Sequence, residues 1–431
     1  MTKVLFINDS AGQRNWGDRA AAVSLRAMIG SLGGDIVAAI TEAELHSSSF
    51  LGLPSDPEAA APGGLKESLR PFIPPIVLQW RAGLVAGRAS SRKEAVIPAT
   101  WDGFAASARM VLGSANPWPE LPRAIEACDL AVIHGDGAMV GNGLHPRALL
   151  FLAYLIKKHF GKPVIMVNHT ADFDHPVLLE MARNVYPLFD DVVFRDTVSA
   201  ERWSPLAGGR FAADTAFWFS PCPRGEWARV AGRPTFFDVW PDVARFDPSR
   251  PYLCIGGSSI YGVRPDLPAI VRQWTRALEQ LSKVYPGQIV LTAADVVDAQ
   301  VFRPVSSQLN LPLLGLHTPT QQAVDVLGNA DAYIGGRWHP AIFALRGGAP
   351  LISLAGKTFK MRALSEMAGL SGKSFDACEV EESLPGIGEQ LLSLLEPGED
   401  LRRRLRSWGD AMSENAWDNL RWLAGAARAP R

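Results

Sequence analysis

Residues 331–357 read DAYIGGRWHPAIFALRGGAPLISLAGK, and their pattern predicts a strand, a turn, a helix, a turn and a second strand. The short apolar run Asp331–Ile334 ends at two glycines, as a buried parallel strand does. Pro340 suits the first turn of a helix, where its missing N–H costs little. The next strand is Leu351–Leu354. Units of this kind, repeated along a chain, build parallel α/β sheets.

Three functional side chains, Arg337, Trp338 and His339, lie between the first of these strands and the helix. They therefore lie at the carboxyl end of a strand and beside a helix N-terminus, where open α/β sheets bind ligands and where anions are favoured. A permanent cation, an aromatic face and a proton carrier suit an anionic substrate that gains or loses a proton. An ordinary surface turn containing one histidine is the alternative interpretation.

The same alternation of strands and helices runs along most of the chain on both sides of a proline-rich segment. It predicts an α/β protein with two Rossmann-like domains facing a cleft. The predicted divisions are an N-terminal domain (1–220) with an irregular insertion at about 47–121, a linker (221–250), a C-terminal domain (251–395) and C-terminal helices (396–431).

Composition limits the classes of function. The 431 residues carry a net charge of −1, which gives no support to a nucleic-acid binder. The four cysteines are far apart and indicate reduced thiols, the N-terminus does not have the pattern of a signal peptide, and no apolar run reaches the roughly 18 residues of a membrane span. These features predict a cytoplasmic protein.

One segment, 69–93, is apolar and flanked by basic residues. It suggests a lid or a patch that rests on the cytoplasmic face of a membrane. A buried loop and helix is the more common explanation of such a stretch.

Polar side chains follow the first predicted strands. Asn15-Trp16-Gly17-Asp18 precedes a helix, and Asp18 could orient a sugar hydroxyl or cap that helix. His134 and His169 follow two consecutive strands, but no third ligand stands at a zinc-like spacing, so we expect no metal.

The string GDGAMVG after His134 imitates a dinucleotide fingerprint. The following strand ends in Asn168, which offers no carboxylate to a ribose, so we expect no nicotinamide cofactor.

Two further strand ends carry candidate anion ligands. Arg195-Asp196 could bind an anion or form a structural ion pair. The turn Gly256–Ser259 could wrap a phosphate with its backbone N–H groups and hydroxyls.

Several of these blocks resemble one known family. Residues 335–357 resemble the C-terminal signature of the polysaccharide pyruvyl transferase family, in which a strand is followed by Arg-x-His, an apolar helix, Gly-x-Pro and a lysine. The matching residues here are Arg337, His339, Ile342, Phe343, Ala344, Gly348, Pro350 and Lys357. Further resembling blocks are Asn15-x-Gly17-Asp18, His134–Gly137, Arg195-Asp196-x-x-Ser199 and Asp214–Phe217. Trp338 departs from the family, whose members commonly carry Leu there.

The resemblance implies the glycosyltransferase-B architecture and a reaction between phosphoenolpyruvate and two hydroxyls of a sugar, which yields a pyruvate ketal and phosphate. It places the donor on the C-terminal half and a glycan or lipid-linked glycan acceptor on the N-terminal half. Phosphoenolpyruvate is then a co-substrate, and no cofactor is expected. The implied donor-binding residues are Arg337, Arg195, Lys357, Gly257, Ser258, Ser259 and Trp338.

His339 is the expected general acid, because imidazole titrates near working pH. Asp18, His134, Asp136 and His169 remain open as the base or as ligands of the acceptor hydroxyls. Asn15 and Trp16 complete the expected acceptor side.

Two other functions fit the same architecture. A glycosyltransferase that uses a nucleotide sugar would also set Arg337 and Lys357 near phosphate. A non-catalytic glycan-binding subunit would bind sugar without releasing phosphate.

Overall fold

The computed structural model describes residues 1–45, 96–114, 116–233, 236, 246–263 and 266–426. The segment 69–93, predicted as a lid or membrane patch, lies outside the described residues. Most of the predicted insertion does too. Its described end is not irregular, because it forms a 3-10 helix, Trp101–Gly103, and then the α-helix Phe104–Leu112.

The N-terminal half is built on a six-stranded parallel sheet of order β2-β1-β3-β4-β5-β6. Its strands are β1 Thr2–Asp9, β2 Gly34–Thr41, β3 Leu130–Val140, β4 Val164–Asp172, β5 Asp191–Phe194 and β6 Arg210–Phe211. Its described helices are α1 Trp16–Ser31, α2 Glu42–Leu45, α3 Phe104–Leu112, α4 Glu120–Ala127, α5 Leu144–Phe160, α6 Pro176–Val185 and α7 Thr197–Ala207. Sequence patterning does not predict β2.

The C-terminal half is built on a five-stranded parallel sheet of order β11-β10-β7-β8-β9. Its strands are β7 Tyr252–Ser258, β8 Gln288–Thr292, β9 Leu313–Leu314, β10 Ala332–Gly336 and β11 Leu351–Ser353. The remaining described helices are α8 Arg224–Ala231, α9 Leu267–Val284, α10 Val296–Leu309, α11 Thr320–Asn329, α12 Trp338–Arg346, α13 Lys360–Met367, α14 Val380–Leu395, α15 Glu399–Asn415 and α16 Arg421–Ala426.

The predicted strand–helix–strand unit is present as β10, α12 and β11. The helix begins earlier than the position of Pro340 indicated, at Trp338, with Arg337 as its N-cap residue. Arg337 therefore lies at the junction of strand and helix. This arrangement confirms the two-sheet α/β fold.

The two halves share one hydrophobic core. A single cluster of buried side chains includes Phe6 of β1 and Trp16 of α1 in the first half, and Tyr333 of β10 and Phe343 of α12 in the second. Two other clusters cover the opposite faces of the two sheets. Because apolar burial is the main stabilising contribution, the halves are joined by packing as well as by the chain.

The last helices cross back to the N-terminal half. The side-chain oxygen of Asn415 accepts a hydrogen bond from the backbone of Ala213 at 2.7 Å. Asn419 accepts one from the N–H of Asn168 in β4 at 2.8 Å. None of the helices in the described ranges has the length and apolarity needed to cross a membrane.

Candidate active site

His339 lies in the first turn of α12, with its ring against the N-terminus of α1. It is 5% exposed. A Cβ built on Gly17 would stand 1.8 Å from the Nδ1 atom of His339. Only glycine permits this approach without a displacement, which gives a physical reason for the glycine of the Asn15-x-Gly17-Asp18 block.

Three carboxylates surround the imidazole of His339. Its Nδ1 lies 3.8 Å from Asp18, and its Nε2 lies 3.5 Å from Asp214 and 3.9 Å from Asp136. All three carboxylates belong to the N-terminal half. The cleft between the halves therefore brings together a histidine and acids that are far apart in the sequence.

Arg195 balances part of this negative charge. Its Nη1 donates to Asp136, to Asp214 at 3.0 Å, and lies 3.4 Å from Nε2 of His339. Its Nε donates to Thr170 at 3.1 Å. The Nη2 group has no hydrogen bond to a described residue and lies 3.4 Å from the point where a Cβ on Gly137 would stand. One N–H group of this arginine thus remains for a ligand.

The carboxylates differ in their affinity for protons. Burial raises the pKa of Asp18 well above its usual value, and the negative charge of Asp136 adds to this. Burial acts in the same direction on Asp136, but Arg195 and His339 outweigh it and lower the pKa of that carboxyl. Neighbouring acids whose pKa values are shifted in opposite directions are typical of acid–base sites.

Glu42, at the start of α2, adds a further acid with a shifted pKa. Burial, with the charge of Asp136 as the next cause, raises the pKa of Glu42 to about 7. Glu42 is therefore a carboxyl that can exchange protons near neutral pH.

Trp338 bridges the two halves. Its Nε1 donates to Asp214 at 2.9 Å, and its ring lies 5.2 Å from the guanidinium carbon of Arg195. It is 2% exposed. The prediction that Trp338 contacts the donor is corrected, because its faces and its N–H are used by the protein.

Arg337 also departs from its predicted role. Its Nε and Nη2 form a fork to Asp298, at 3.0 and 2.8 Å, and its Nη1 lies 3.3 Å from Asp295. Both carboxylates belong to the N-terminal end of α10 and its cap. Arg337 is therefore neutralised within the C-terminal half rather than free to clamp an anion.

A cavity of about 70 Å³ opens beside Arg195 between the two halves. Its lining includes Gly137, Thr170 and Asp172 from the first half, and Ser259, Lys357, Thr358 and Lys360 from the second. Two of its buried oxygens, Oγ1 of Thr358 and Oδ1 of Asp172, have no hydrogen-bond partner among the described residues. Oδ1 of Asp172 forms an ion pair with Nη1 of Arg202 at 3.6 Å. Because buried polar atoms are normally satisfied, the hydroxyl of Thr358 indicates a place for a polar ligand.

The lysines of this cavity were only partly predicted. Lys357 was expected, and its backbone N–H donates to Oγ of Ser259 at 3.1 Å. Lys360, the first residue of α13, was missed. Burial, helped by the positive charge of Arg195, lowers the pKa of Lys360 to about 8. Its position at a helix start, near Lys357 in sequence, was the available signal.

Two predicted histidines, His134 and His169, are buried in the N-terminal half. His134 is buried, stacks on Phe6, and its Nε2 lies 3.1 Å from Nδ2 of Asn168. The ring of His169 is also buried, with Nδ1 2.9 Å from the carbonyl of Val193. Burial lowers the pKa of His169 to about 3. Both ring nitrogens of His169 have protein partners, since Nε2 lies 3.1 Å from the hydroxyl of Tyr186, so the prediction that it binds the acceptor is corrected. Nδ1 of His134 has no hydrogen-bond partner among the described residues, and the catalytic role of His134 stays a prediction.

The predicted acceptor residues Asn15 and Trp16 instead join the two halves. Asn15 caps α1 by accepting from the N–H of Gly17 at 2.9 Å, and it donates to Asp295 at 3.2 Å. The buried Trp16 donates from Nε1 to the carbonyl of Gly315 at 3.1 Å. Trp16 therefore cannot stack on a sugar.

The glycine–serine turn after β7 contributes one residue to the cavity. Ser259 lines it, whereas Ser258 is buried and donates to the carbonyl of Ala355. Gly257 faces away from it, since a Cβ there would stand 2.1 Å from Oδ1 of Asp298. Direct donor contacts by Gly257 and Ser258 are therefore corrected.

Asp18, Asp136 and His339 each offer one atom, and these atoms lie within 4.8 Å of one another, a spacing that a metal ion could use. The expectation that the site works without a metal stays a prediction.

The comparisons with solved structures concern the fold. MnaA of S. aureus, in a co-structure with UDP, is similar with a TM-score of 0.52 and 11% identity over 98% of this chain and 95% of that one. UGT89C1 of Arabidopsis thaliana, complexed with quercetin, has a TM-score of 0.51 and 12% identity over 99% and 100% of the chains. These neighbours share the glycosyltransferase-B architecture.

No curated protein sequence gives a significant match to this chain. A family model does: the one described as polysaccharide pyruvyl transferase matches residues 17–358. That range contains the Asn15 block from Gly17 onward, Arg195, His339 and Lys357. The chain therefore belongs to the polysaccharide pyruvyl transferase family.

Proposed function

We propose that this protein transfers pyruvate from phosphoenolpyruvate onto two hydroxyls of a sugar in a polysaccharide or its precursor, forming a pyruvate ketal and releasing phosphate. The family supports a pyruvyl transferase. The observation that carries the proposal is the small cavity beside the His339 cluster, which is lined by two lysines and by the buried hydroxyl of Thr358.

The donor is a compact molecule with a carboxylate and a phosphate, so it needs several cations close together. Lys357 and Lys360 line the cavity, and the free Nη2 of Arg195 points toward Gly137 on its wall. Thr358 supplies a hydroxyl that can donate to a phosphate oxygen. Lys360 thus replaces Arg337 as the second anion ligand in our scheme.

His339 acts as the general acid in this scheme. It gives a proton to the methylene carbon of the enol, and the central carbon becomes electrophilic. The Nη1 atom of Arg195 lies 3.4 Å from the Nε2 atom of His339.

Asp18 is the base that the geometry favours, because Asp136 is held by Arg195 and both His134 and His169 are buried in the first half. The first sugar hydroxyl bonds to the central carbon and gives its proton to Asp18. The carbon–oxygen bond to phosphate then breaks, and the second hydroxyl closes the ketal. Asp18 passes the first hydroxyl proton on to His339, whose Nδ1 lies 3.8 Å away, and the proton of the second hydroxyl leaves with phosphate.

The proposal keeps phosphoenolpyruvate as co-substrate without a further cofactor. A glycan or lipid-linked glycan is the acceptor, and the cytoplasm is the compartment. The four cysteines are far apart in the sequence, as is typical of reduced thiols.

The test is phosphate release from phosphoenolpyruvate in the presence of a hydroxyl-pair glycan. His339→Ala should lower turnover by about 10²–10⁴-fold, the range for loss of a general acid. The melting temperature should change little. His159→Ala, at an exposed histidine of α5, is the control and should keep full activity. Full turnover in the His339 variant would remove this residue from the mechanism.

The two competing functions give different outcomes in binding experiments. A glycosyltransferase would be stabilised by a nucleoside diphosphate sugar and would release no phosphate from phosphoenolpyruvate. A glycan-binding subunit would bind sugar and also release none.

A further inference from the structure

A second, larger cavity lies apart from the donor cavity, at another place where the two halves meet. Its volume is about 460 Å³, within the range of small-molecule sites. One wall is the outer face of α10, including Val296, Gln300 and Arg303, whose spacing puts them on one side of a helix. Leu316 and His317, from the segment after β9, form the second wall, and Arg14 completes it from the loop before α1.

The cavity has a basic rim and an apolar floor. The side chains of Arg14, Arg303 and His317 are exposed, and none has a hydrogen bond or ion pair with a residue that the structure describes. No described lining residue is acidic. Val296, 51% exposed, and Leu316 give the floor its apolar surface. A chain of net charge −1 thus gathers unpaired positive charge around one apolar recess.

This cavity lies close to the His339 cluster. Asn15, next to Arg14, donates to Asp295, and Asp295 also receives Nη1 of Arg337. Four residues lead from Arg14 to Asp18, so their Cα atoms are at most about 14 Å apart. A ligand that binds at Arg14 can therefore extend to the cleft where Asp18 and His339 meet.

We propose that this cavity binds the diphosphate ester of an activated sugar acceptor, an inference that rests on the proposed function. Two arginines offer forked donors that suit phosphate oxygens. The apolar floor then contacts the organic group of the ester, and the sugar faces the cleft. That organic group is a nucleoside or a prenyl chain, and both share the diphosphate chemistry.

Calorimetric titration of the full chain with uridine diphosphate, geranyl diphosphate and inorganic pyrophosphate tests the proposal. One of the two esters should bind at least about tenfold more tightly than pyrophosphate, because the floor adds apolar contact. The better ester identifies the organic group. Esters that bind no better than pyrophosphate, or not at all, would overturn the proposal.

Variants locate the binding. Arg14→Ala and Arg303→Ala should each weaken binding of the better ester by about tenfold, as expected for loss of a charge-assisted hydrogen bond. Arg183→Ala, at an exposed arginine of α6, is the matched control and should bind like the wild type. All three side chains are exposed, so melting temperatures should agree. An ester affinity that neither cavity variant changes would refute the site.

The two proposals can fail separately. Affinity for phosphoenolpyruvate, measured in the same variants, should stay unchanged because Lys357, Lys360 and Arg195 are intact. Ester binding that depends on Arg303, in a protein that releases no phosphate, would support the cavity and reject the pyruvyl transfer. Phosphate release without Arg303-dependent ester binding would reject the cavity alone.

Discussion

Arg195 follows a strand of the first sheet and Arg337 follows a strand of the second, and both were expected to bind an anion. In the structure they differ. Arg195 shares Asp136 and Asp214 with His339 and keeps its Nη2 for the donor cavity. Arg337 directs its donors to Asp298 and Asp295 on its own half.

The two arginines show that the position of a side chain at the cleft does not decide whether its charge is available to a ligand. The carboxyl end of a parallel strand brings a side chain to the cleft, and both arginines follow that rule. Whether the charge is available depends on a partner from another element. For Arg337 that partner is Asp298, fully buried on α10, and a buried carboxylate without a cation would be costly.

The largest effect should come from Arg195→Met. It leaves Asp136 and Asp214 buried without their cation and removes one donor ligand. We expect phosphate release to fall by about a thousandfold. The free energy of unfolding should fall by about 3–5 kcal/mol, as measured by denaturant titration.

Variants of Arg337 should lose stability but keep more activity than Arg195→Met. Arg337→Met alone should destabilise the fold for the same reason, whereas Arg337→Met with Asp298→Leu should recover most of the stability, because a buried pair can be replaced by apolar side chains. Phosphate release in that double variant should stay well above that of Arg195→Met. Equal losses of activity in the two would show that Arg337 also holds the donor.

A smaller effect is expected from Gly17→Ala. The added methyl would overlap Nδ1 of His339 and push the imidazole away from the three carboxylates. We expect turnover to fall by about a hundredfold, since misplacement of a catalytic group by an ångström has effects of this size.

Gly30→Ala in the same helix is the control, because nothing lies within 4 Å of the added atom. It should keep activity and gain about 0.5–1 kcal/mol of stability. If the two alanine variants had equal turnover, the close contact between His339 and α1 would have no part in catalysis.

The smallest effect is a pH dependence. The pKa of Lys360, lowered by burial to about 8, means that its ammonium is present below pH 8 and is lost as the pH rises through that value. The value of kcat/KM for phosphoenolpyruvate, which reports groups of the free enzyme, should then fall by about tenfold per pH unit on the alkaline side.

Two lysine variants test whether Lys360 causes the fall of kcat/KM at alkaline pH. Lys360→Arg should remove the alkaline fall, because guanidinium stays charged. Lys357→Arg should leave it in place. If kcat/KM still falls at alkaline pH in the Lys360 variant, the fall is caused by another titratable group.

The sequence predicted the two-sheet fold and the neighbourhood of the site because those depend on local patterns. Short apolar runs, glycine turns and Pro340 define β10, α12 and β11, and their order requires a parallel sheet. His339 reaches the cleft for the same reason, since it follows a strand and begins a helix.

The direction of individual side chains was harder to predict. Neighbours along a strand point to opposite faces, but β3 is irregular where Asp136 adopts a left-handed backbone with φ of 44°. His134 therefore stays in the core while Asp136 reaches the cleft. Lys360, Asp214 and Asp298 were missed because their roles depend on partners brought near only by tertiary packing.

The return of the last helices to the first sheet has a consequence for synthesis on the ribosome. The N–H of Asn168 finds its partner in Asn419, whose own amide donates to Ala213 at 2.8 Å. Domains generally fold in the order in which they are translated, but here β4 lacks a buried hydrogen bond until residue 419 leaves the exit tunnel. The half that is made first is thus completed last.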